Sequence, residues 1–309
     1  MLVTFIIPVY NERDTLEPLV AGIAEHIGPH EHRVLFIDDG STDGSFEVMA
    51  RLREQLHKVD IIRFRRNFGK SAALAAGFAR SSAELVFTMD ADLQDDPKEI
   101  PRFIEKLNEG HDLVCGWKRI RHDPWHKTIP SHFYNRFVAK WFGVPLHDVN
   151  CGFKLFRGEV VRKIRLYGDM HRLIPVLASQ LGYRVAEIPV EHHPRRYGTS
   201  KYGWERLSRG ALDVFTLMFL NRHADAPGHF LGKLGLGQWG LGVLAMLAST
   251  VSKLCLNRGL CAAALFLAAV ILWVGGTISL GLALTAELLV RRSAGVDTAA
   301  FIAEERIGH

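Results

Sequence analysis

Asp90-Ala91-Asp92, followed by Leu93-Gln94, is the sharpest chemical signal in the chain. It comes directly after the apolar run Leu85–Met89, so the carboxylates are expected where a strand ends. Period-two geometry there would aim Asp90 and Asp92 to one side. Two hard carboxylate donors and the Gln94 carbonyl suit Mg²⁺ or Mn²⁺, which take oxygen ligands and leave positions open for phosphate groups. A short Asp-x-Asp run is also what an acidic turn ahead of a helix-capping Asp96-Pro97 looks like. The rest of the chain has to decide between these readings.

The N-terminal half supplies a frame for such a site. Val3–Pro8, Val34–Asp38, Ile61–Phe64, Leu85–Met89 and Leu113–Cys115 read as strands, being short and apolar. Between them Leu16–His26, Phe46–Leu56, Ser71–Arg80 and Lys98–Asn108 read as helices. This βαβα alternation predicts an α/β domain with a mostly parallel, Rossmann-like sheet covered on both faces. Open sheets of this class bind ligands beyond the carboxyl ends of their strands. Three polar clusters fall at those ends: Tyr10-Asn11-Glu12, Asp38-Asp39-Gly40-Ser41 and Asp90-Ala91-Asp92. The first strand runs into VYNERD instead of a GxGxxG turn, which speaks against a dinucleotide-dependent oxidoreductase.

With 309 residues, the chain can bury a large core, and its formal charge of +5 suits an anionic partner. Its 38 basic residues are evenly mixed with 33 acidic ones, which argues against a nucleic-acid binder. Cys115, Cys151, Cys255 and Cys261 have no paired spacing, so reduced thiols are expected instead of disulfides or a zinc site. Leu2 to Pro8 is too short for a secretory signal, and the first two hundred residues are expected to stay cytoplasmic.

The C-terminal third changes character. No charge occurs from Leu260 to Ala286, a stretch longer than the roughly 20 residues needed to cross a bilayer. A weaker apolar stretch, Leu234 to Val251, precedes it and contains Gly235, Gly237, Gly240 and Gly242. Those glycines either form a loop or let two membrane helices approach closely. With Lys253 to Gly259 as the turn, the two stretches read as a transmembrane hairpin. Arg222, Lys233, Arg291 and Arg292 outside it outnumber Lys253 and Arg258 in the turn, which places both ends in the cytoplasm. Within Lys201–Leu220, apolar residues alternate with Arg206 and Arg209; they predict a helix lying on the membrane surface or packed on the soluble domain.

Six motifs in order raise the reading above a lone Asp-x-Asp. IPVYNE (Ile7–Glu12), IDDGSTDG (Ile37–Gly44), RNFGKSAALAAGF (Arg66–Phe78), DADLQDDP (Asp90–Pro97), CGFKLFR (Cys151–Arg157) and RRYGTSKYG (Arg195–Gly203) resemble the inverting glycosyltransferases of GT-A fold. The branch resembled is that of dolichol-phosphate mannose synthases and bactoprenol-phosphate glucosyltransferases. The resemblance covers Val3 to about Gly203. It implies a GT-A catalytic domain at residues 1–203, a membrane-proximal segment at 204–229, the hairpin at 230–290 and a cytoplasmic tail at 291–309. The setting would be the inner, cytoplasmic membrane.

The resemblance further implies that Pro8, Tyr10, Glu12, Ile37 and Asp39 hold the nucleotide. A tyrosine ring can stack on a base, and a carboxylate can accept from a base N–H or a ribose hydroxyl. DDGS is equally a good turn in any protein. Asp90, Ala91, Asp92 and Gln94 match the metal and diphosphate site, with Asp90, Asp92 and Gln94 as ligands of Mg²⁺ or Mn²⁺. Arg195 and Lys201 match basic residues of a loop that reaches the diphosphate. Many relatives have arginine where this chain has Trp117-Lys118-Arg119, which leaves open whether Lys118 or Arg119 takes that role; lysine lacks bidentate phosphate recognition. Arg119, Arg121, Lys127 and Arg136, interleaved with Trp125, Phe133 and Tyr134, are candidates for an acceptor phosphate. Asp148 matches the position of a catalytic base, or it orients the acceptor.

The implied reaction is transfer of a hexosyl group from a nucleotide-sugar, UDP-glucose first and GDP-mannose next, to a polyprenyl phosphate lipid. The partners are thus donor, lipid and membrane, with no nucleic acid; a homo-oligomer is compatible. A processive polysaccharide synthase would carry a QxxRW motif, which the sequence lacks, and more spans. A non-catalytic nucleotide-sugar-binding scaffold would lack need for the acidic motif and loop cations.

Overall fold

A computed structural model of the chain describes residues 1–119, 135–166, 168–191, 193, 227–254 and 259–293. The chain divides into two compact units, Met1–Val214 and Phe215–His309.

The first unit is built on one seven-stranded sheet. Its strands are β1 (Leu2–Val9), β2 (Glu31–Asp38), β3 (Val59–Arg63), β4 (Leu85–Thr88), β5 (Leu113–Lys118), β6 (Lys154–Arg157) and β7 (Val185–Val190). Their order is β3-β2-β1-β4-β6-β5-β7. Parallel pairing joins β1 to β2 and β4, β2 to β3, and β5 to β7; β6 runs antiparallel between β4 and β5. The mostly parallel α/β sheet expected from the sequence is present. The antiparallel β6 lies in CGFKLFR, a run too short to show its direction.

The helices are α1 (Leu16–His26), α2 (Ser45–Leu56), α3 (Lys70–Arg80) and α4 (Ile100–Asn108), followed by α5 (residues 135–142), α6 (Gly158–Lys163) and α7 (Ile174–Gln180). Strand alternation sorts the core onto two faces. Val3, Phe5, Ile7 and Val9 of β1 join Leu19 and Ile23 of α1 and Phe103 of α4 in one cluster. Phe5 stacks on Phe87 with centroids 5.0 Å apart, and Phe103 lies 4.4 Å from Phe153. On the other face α3 approaches β1 so closely that a Cβ on Gly77 would lie 2.4 Å from Ile6 Cγ2. Packing at this density fixes the strand ends relative to one another.

The chain leaves β1 toward β2 and β3 on one side, then returns to β4 on the other. That reversal opens a crevice at the carboxyl ends of β1 and β4, where sheets of this kind hold ligands. Tyr10 and Asp90 stand there.

Two helices make up the described part of the second unit, Pro227–Leu254 and Gly259–Ser293. Both are long and apolar enough to cross a membrane, with mean hydropathy 1.4 over Gly228–Leu254 and 2.3 over Gly259–Ala286. They pack antiparallel. Ser249 Oγ donates to the Ala262 carbonyl (2.7 Å), Ser279 Oγ to Gln238 Oε1 (2.9 Å) and Trp239 Nε1 to Thr277 Oγ1 (3.3 Å). Of the two roles open to the glycines, Gly235 and Gly242 take the close-approach role. A Cβ on Gly235 would lie 2.9 Å from the Gly276 carbonyl oxygen, and one on Gly242 2.5 Å from Trp273 Cδ1. The segment is helical throughout, so the loop alternative falls. The membrane-surface helix expected within Lys201–Leu220 lies outside the described residues.

Candidate active site

β4 ends at Thr88, so Asp90-Ala91-Asp92 sits in the turn beyond it and not on the strand. The period-two expectation for the two carboxylates is thereby corrected: main-chain turning, not strand pleat, sets their directions. Asp92 is 7% exposed, and its Oδ1 accepts from the Gln94 main-chain N–H at 3.2 Å. Leu93 between them has φ +58°, a left-handed conformation that a branched side chain rarely adopts. That kink folds Gln94 back toward Asp92. Ala91 is buried in the core cluster under the turn.

Asp90 lies among lysines. Its Oδ1 is ion-paired with Lys70 Nζ at the start of α3. Lys118 Nζ, at the end of β5, lies 2.9 Å from Oδ1 of the buried Asp95. Lys154 Nζ is buried and donates to the Cys151 carbonyl. Burial by itself would push the Asp90 carboxyl up, but Lys70, Lys118 and Lys154 together outweigh it and hold the group well below the usual carboxylate range. Burial likewise opposes the charge on Lys118; Asp95 and Asp90 more than offset it, and its ammonium is held well above the ordinary value. The backbone makes room for this cluster at Gly152, where a Cβ would lie 2.6 Å from Asp90 Oδ2.

A carboxylate held in its ionised form can ligate a divalent cation, in competition with the Lys70 ammonium. With Asp92 and Gln94 one turn away, the donor set is all oxygen, which fits Mg²⁺ or Mn²⁺. A second group of possible ligands stands beside it: one atom each from Asp96, Glu191 and His193 lies within 4.8 Å of the others. His193 Nε2 is 3.1 Å from Asp96 Oδ2, and its main-chain N–H donates to the Gln94 carbonyl at 3.0 Å. The stretch leaving β7 is thus fastened to the acidic turn.

Of the residues expected to hold a nucleotide, Pro8, Tyr10, Glu12 and Asp39 gather at the ends of β1 and β2. Tyr10 is 36% exposed. Asn11, with φ +55°, donates its main-chain N–H to Ser41 Oγ (3.0 Å), and its Oδ1 accepts from the Thr42 N–H (2.8 Å). Glu12 N–H donates to Ser45 Oγ (3.0 Å). The Asp39 carboxylate accepts from the N–H groups of Phe68 (2.6 Å) and Gly69 (2.9 Å). It holds the loop between β3 and α3 against Gly40, where a Cβ would lie 2.6 Å from the Arg66 carbonyl carbon. Burial raises the Asp39 carboxyl above its ordinary value against those two hydrogen bonds. Ile37 is fully buried, paired with Pro8 in the register and pointing into the α3 face of the sheet. Beside these ends a cavity of about 490 Å³ is lined by Gly40, Ser41, Thr42, Arg63, Phe64 and Arg65.

Lys118 and Arg119 have different surroundings. Lys118 points inward to Asp95, while the Arg119 guanidinium lies 6.0 Å over the Trp117 ring. Asp148 is 1% exposed and accepts from Asn135 Nδ2 (3.2 Å) and the Asn150 N–H (3.3 Å). Arg136 is exposed on α5. Arg121, Lys127, Arg195 and Lys201 lie outside the described residues.

Sequence reasoning misses Lys70, Lys154 and His171. The only signal for Lys70 was its place in RNFGKSAAL, just before a helix. Met170–Leu173 is a 3-10 turn packed on α3, where His171 Nδ1 lies 2.9 Å from Ser71 Oγ and the His171 N–H donates to the same oxygen. Burial, then Lys70, Arg172 and Lys154, drive the imidazole well below its usual pKa, so it is neutral.

Comparisons with known proteins agree with this geometry. A family model described as "Glycosyl transferase family 2" matches residues 4–165. The dodecaprenyl-phosphate galacturonate synthase of Rhizobium johnstonii is 35% identical over 297 residues, covering 93% of this chain and 87% of that protein. Among solved structures, glucosyl-3-phosphoglycerate synthase from Mycobacterium tuberculosis with Mn²⁺, uridine diphosphate and phosphoglyceric acid superposes with TM-score 0.54 at 18% identity, over 72% of this chain and 78% of that one. The same enzyme with Mn²⁺, UDP-glucose and phosphoglyceric acid gives 0.51 at 17%, over 71% and 79%. At such identities these superpositions establish the fold, which is GT-A.

Proposed function

We propose that this chain, which belongs to glycosyl transferase family 2, transfers a sugar from a nucleotide-sugar to a polyprenyl phosphate with inversion at the anomeric carbon. It is a glycosyltransferase; acceptor, donor and stereochemistry are the proposal. One observation carries it: the Asp90–Lys70 ion pair and the buried Asp92 share the turn after β4, where the strand order reverses.

Asp90, Asp92 and Gln94 would hold Mg²⁺ or Mn²⁺, which supplies charge neutralisation for the departing diphosphate. Tyr10 offers its exposed ring to a base. Pro8, Glu12 and Asp39 would line the crevice around it, with Ile37 packed behind them and Asp39 shaping the Phe68–Gly69 loop. Lys70 and Lys118 keep the diphosphate end of the crevice cationic, with Arg195 and Lys201 as further donor-binding cations. UDP-glucose remains the first donor to test. The similarity to a galacturonate synthase adds UDP-galacturonate, and GDP-mannose follows.

A phosphate monoester with a second pKa of about 6 is mostly dianionic at pH 7. Its oxygen attacks C1 while the C1–O bond to the diphosphate breaks, and the nucleoside diphosphate leaves. Little deprotonation is needed. Asp148, buried and accepting from Asn135 Nδ2 and the Asn150 N–H, therefore suits orientation of the acceptor side better than proton removal. Arg119, Arg121, Lys127 and Arg136 are the proposed phosphate partners. The two apolar helices are proposed to anchor residues 1–203 to the cytoplasmic face of the inner membrane. Their flanking cations favour both ends inside.

Purified protein in lipid nanodiscs, given undecaprenyl phosphate and each radiolabelled donor with Mn²⁺ or EDTA, tests this directly. A lipid-linked sugar formed only with metal is expected, and Asp92→Ala should abolish it without unfolding the protein. Absence of product from every donor with folded protein would overturn the reading.

A further inference from the structure

α5 inverts the ordinary arrangement of a surface helix. Asn135 and Val138 point inward, but the outer face carries Phe137 and Trp141, which are 45% and 49% exposed. The two rings are four residues apart and stack at 5.9 Å with an interplanar angle of 25°. Arg136 and Lys140, also exposed and also four apart, run alongside them. No acidic residue occurs anywhere from Pro124 to His147. A purely solvated helix has no reason to place two large aromatic rings outward, and a buried one has no room for the two cations.

Aromatic rings flanked by long cationic side chains match the chemistry of a bilayer interface. The rings suit the depth of the headgroups, while lysine and arginine stems lie along apolar surface and extend their charges to lipid phosphate. We infer that the Arg136–Phe137–Lys140–Trp141 face of α5 seats on an anionic phospholipid surface. The chain's own two membrane-length helices put a bilayer at hand, and the uniform positive charge of this stretch complements anionic headgroups.

The inner face gives this docking a functional consequence, which rests on the proposed lipid acceptor. Asn135, on the side of α5 away from the rings, donates to Asp148 at 3.2 Å. With side chains a helix is about 10–12 Å across. Seating the outer face at the headgroups therefore sets Asp148 roughly one helix diameter from the lipid phosphates. The carrier phosphate need not leave the interface to reach it.

The test uses the full chain in nanodiscs of phosphatidylcholine and phosphatidylglycerol, with Cys255 and Cys261 replaced by serine. A single cysteine at Phe137→Cys, Trp141→Cys or, as control on α1, Glu25→Cys carries an environment-sensitive fluorophore. Labels at 137 and 141 are expected to be quenched by brominated lipid and shielded from aqueous iodide, with the reverse at 25. Labels at 137 and 141 as open to iodide as the control would overturn the inference. So would labels shielded from both quenchers, since another protein surface would then cover the face. This readout needs no turnover, so it stands or falls separately from the proposed reaction. In an active preparation, Phe137→Ser/Trp141→Ser should raise KM for undecaprenyl phosphate at least tenfold. It should leave kcat/KM for a short, water-soluble prenyl phosphate unchanged. A loss equal for both acceptors would contradict interfacial seating.

Discussion

Gly152 faces the carboxylate of Asp90 with no space between them: a Cβ at 152 would lie 2.6 Å from Oδ2 and 2.9 Å from Cγ. The glycine belongs to the loop leading into β6, and the aspartate follows β4. The antiparallel pairing of these strands brings a motif from residue 90 and one from residue 152 into a single wall.

Gly152→Ala should therefore act on the acidic turn and not on the core. Relieving the clash must move Asp90 or the loop, and a misplacement of about 1 Å can cost about 10²-fold in rate. Turnover is expected to fall by one to two orders of magnitude, with a stability loss of about 1–3 kcal/mol from overpacking. Steady-state kinetics and thermal melts on one preparation check both. Wild-type turnover would mean that the Asp90 position is unimportant.

Lys70 and a divalent cation compete for the same carboxylate. Lys70→Met should tighten Mn²⁺ binding to nucleotide-free protein on the order of tenfold, equivalent to about 1.4 kcal/mol. Asp90 stays ionised beside Lys118 and Lys154, so the site remains able to bind. Turnover should nevertheless drop, because the diphosphate loses a cation. Titration of free Mn²⁺ by electron paramagnetic resonance reads the affinity; weaker binding would show that Lys70 supports the metal site instead of competing with it.

His171 makes stability depend on pH. Its folded pKa is depressed below the unfolded value of 6.5, so the unfolded chain takes up the proton first as pH falls. The contribution is complete above pH 6.5 and is lost as pH drops toward the folded value, at no more than about 1.4 kcal/mol per pH unit. His171→Gln should melt at nearly the same temperature at pH 7.5 and 5.5, relative to a wild type that loses stability over that interval. Identical losses in both proteins would remove His171 as the cause.

Burial pushes the Cys151 thiol up to about 12 and raises that of Cys115 further still. At pH 8 both are fully protonated and enclosed, and the thiolate is the reactive form. Neither should react with a chromogenic disulfide reagent until the protein is unfolded, as thiol counts on Cys255→Ser/Cys261→Ser protein would show. Rapid labelling of the native protein would indicate that the region around β5 and β6 opens.

In the C-terminal unit, a Cβ on Gly276 would lie 2.3 Å from Trp239 Cδ1 and 2.9 Å from the Gly235 carbonyl oxygen. Close backbone approach is what holds apolar helices together in lipid. Gly276→Leu should lower the unfolding temperature in detergent by several degrees, read from tryptophan fluorescence. Gly281→Leu, where nothing lies within 4 Å of the added Cβ, should not.

By itself the sequence determined much of what depends on local periodicity and on short ordered motifs, up to β5; the shorter elements from α5 to β7 were not read from it. The βαβα frame, α1 at Leu16–His26, the acidic turn after β4 and the two long apolar segments were all legible, because strand, helix and turn chemistry act over a few residues. Tertiary structure decided what long-range contacts control. The antiparallel direction of β6, the enclosure of Asp90 by Lys70 and Gly152, and the use of Asp39 to hold the Phe68–Gly69 loop each join residues 20 to 72 positions apart. The burial of Asp148 beside Asn135 was illegible for the same reason. A carboxylate's role depends on its neighbours' charges and on its access to water, and neither is written in its own stretch of sequence.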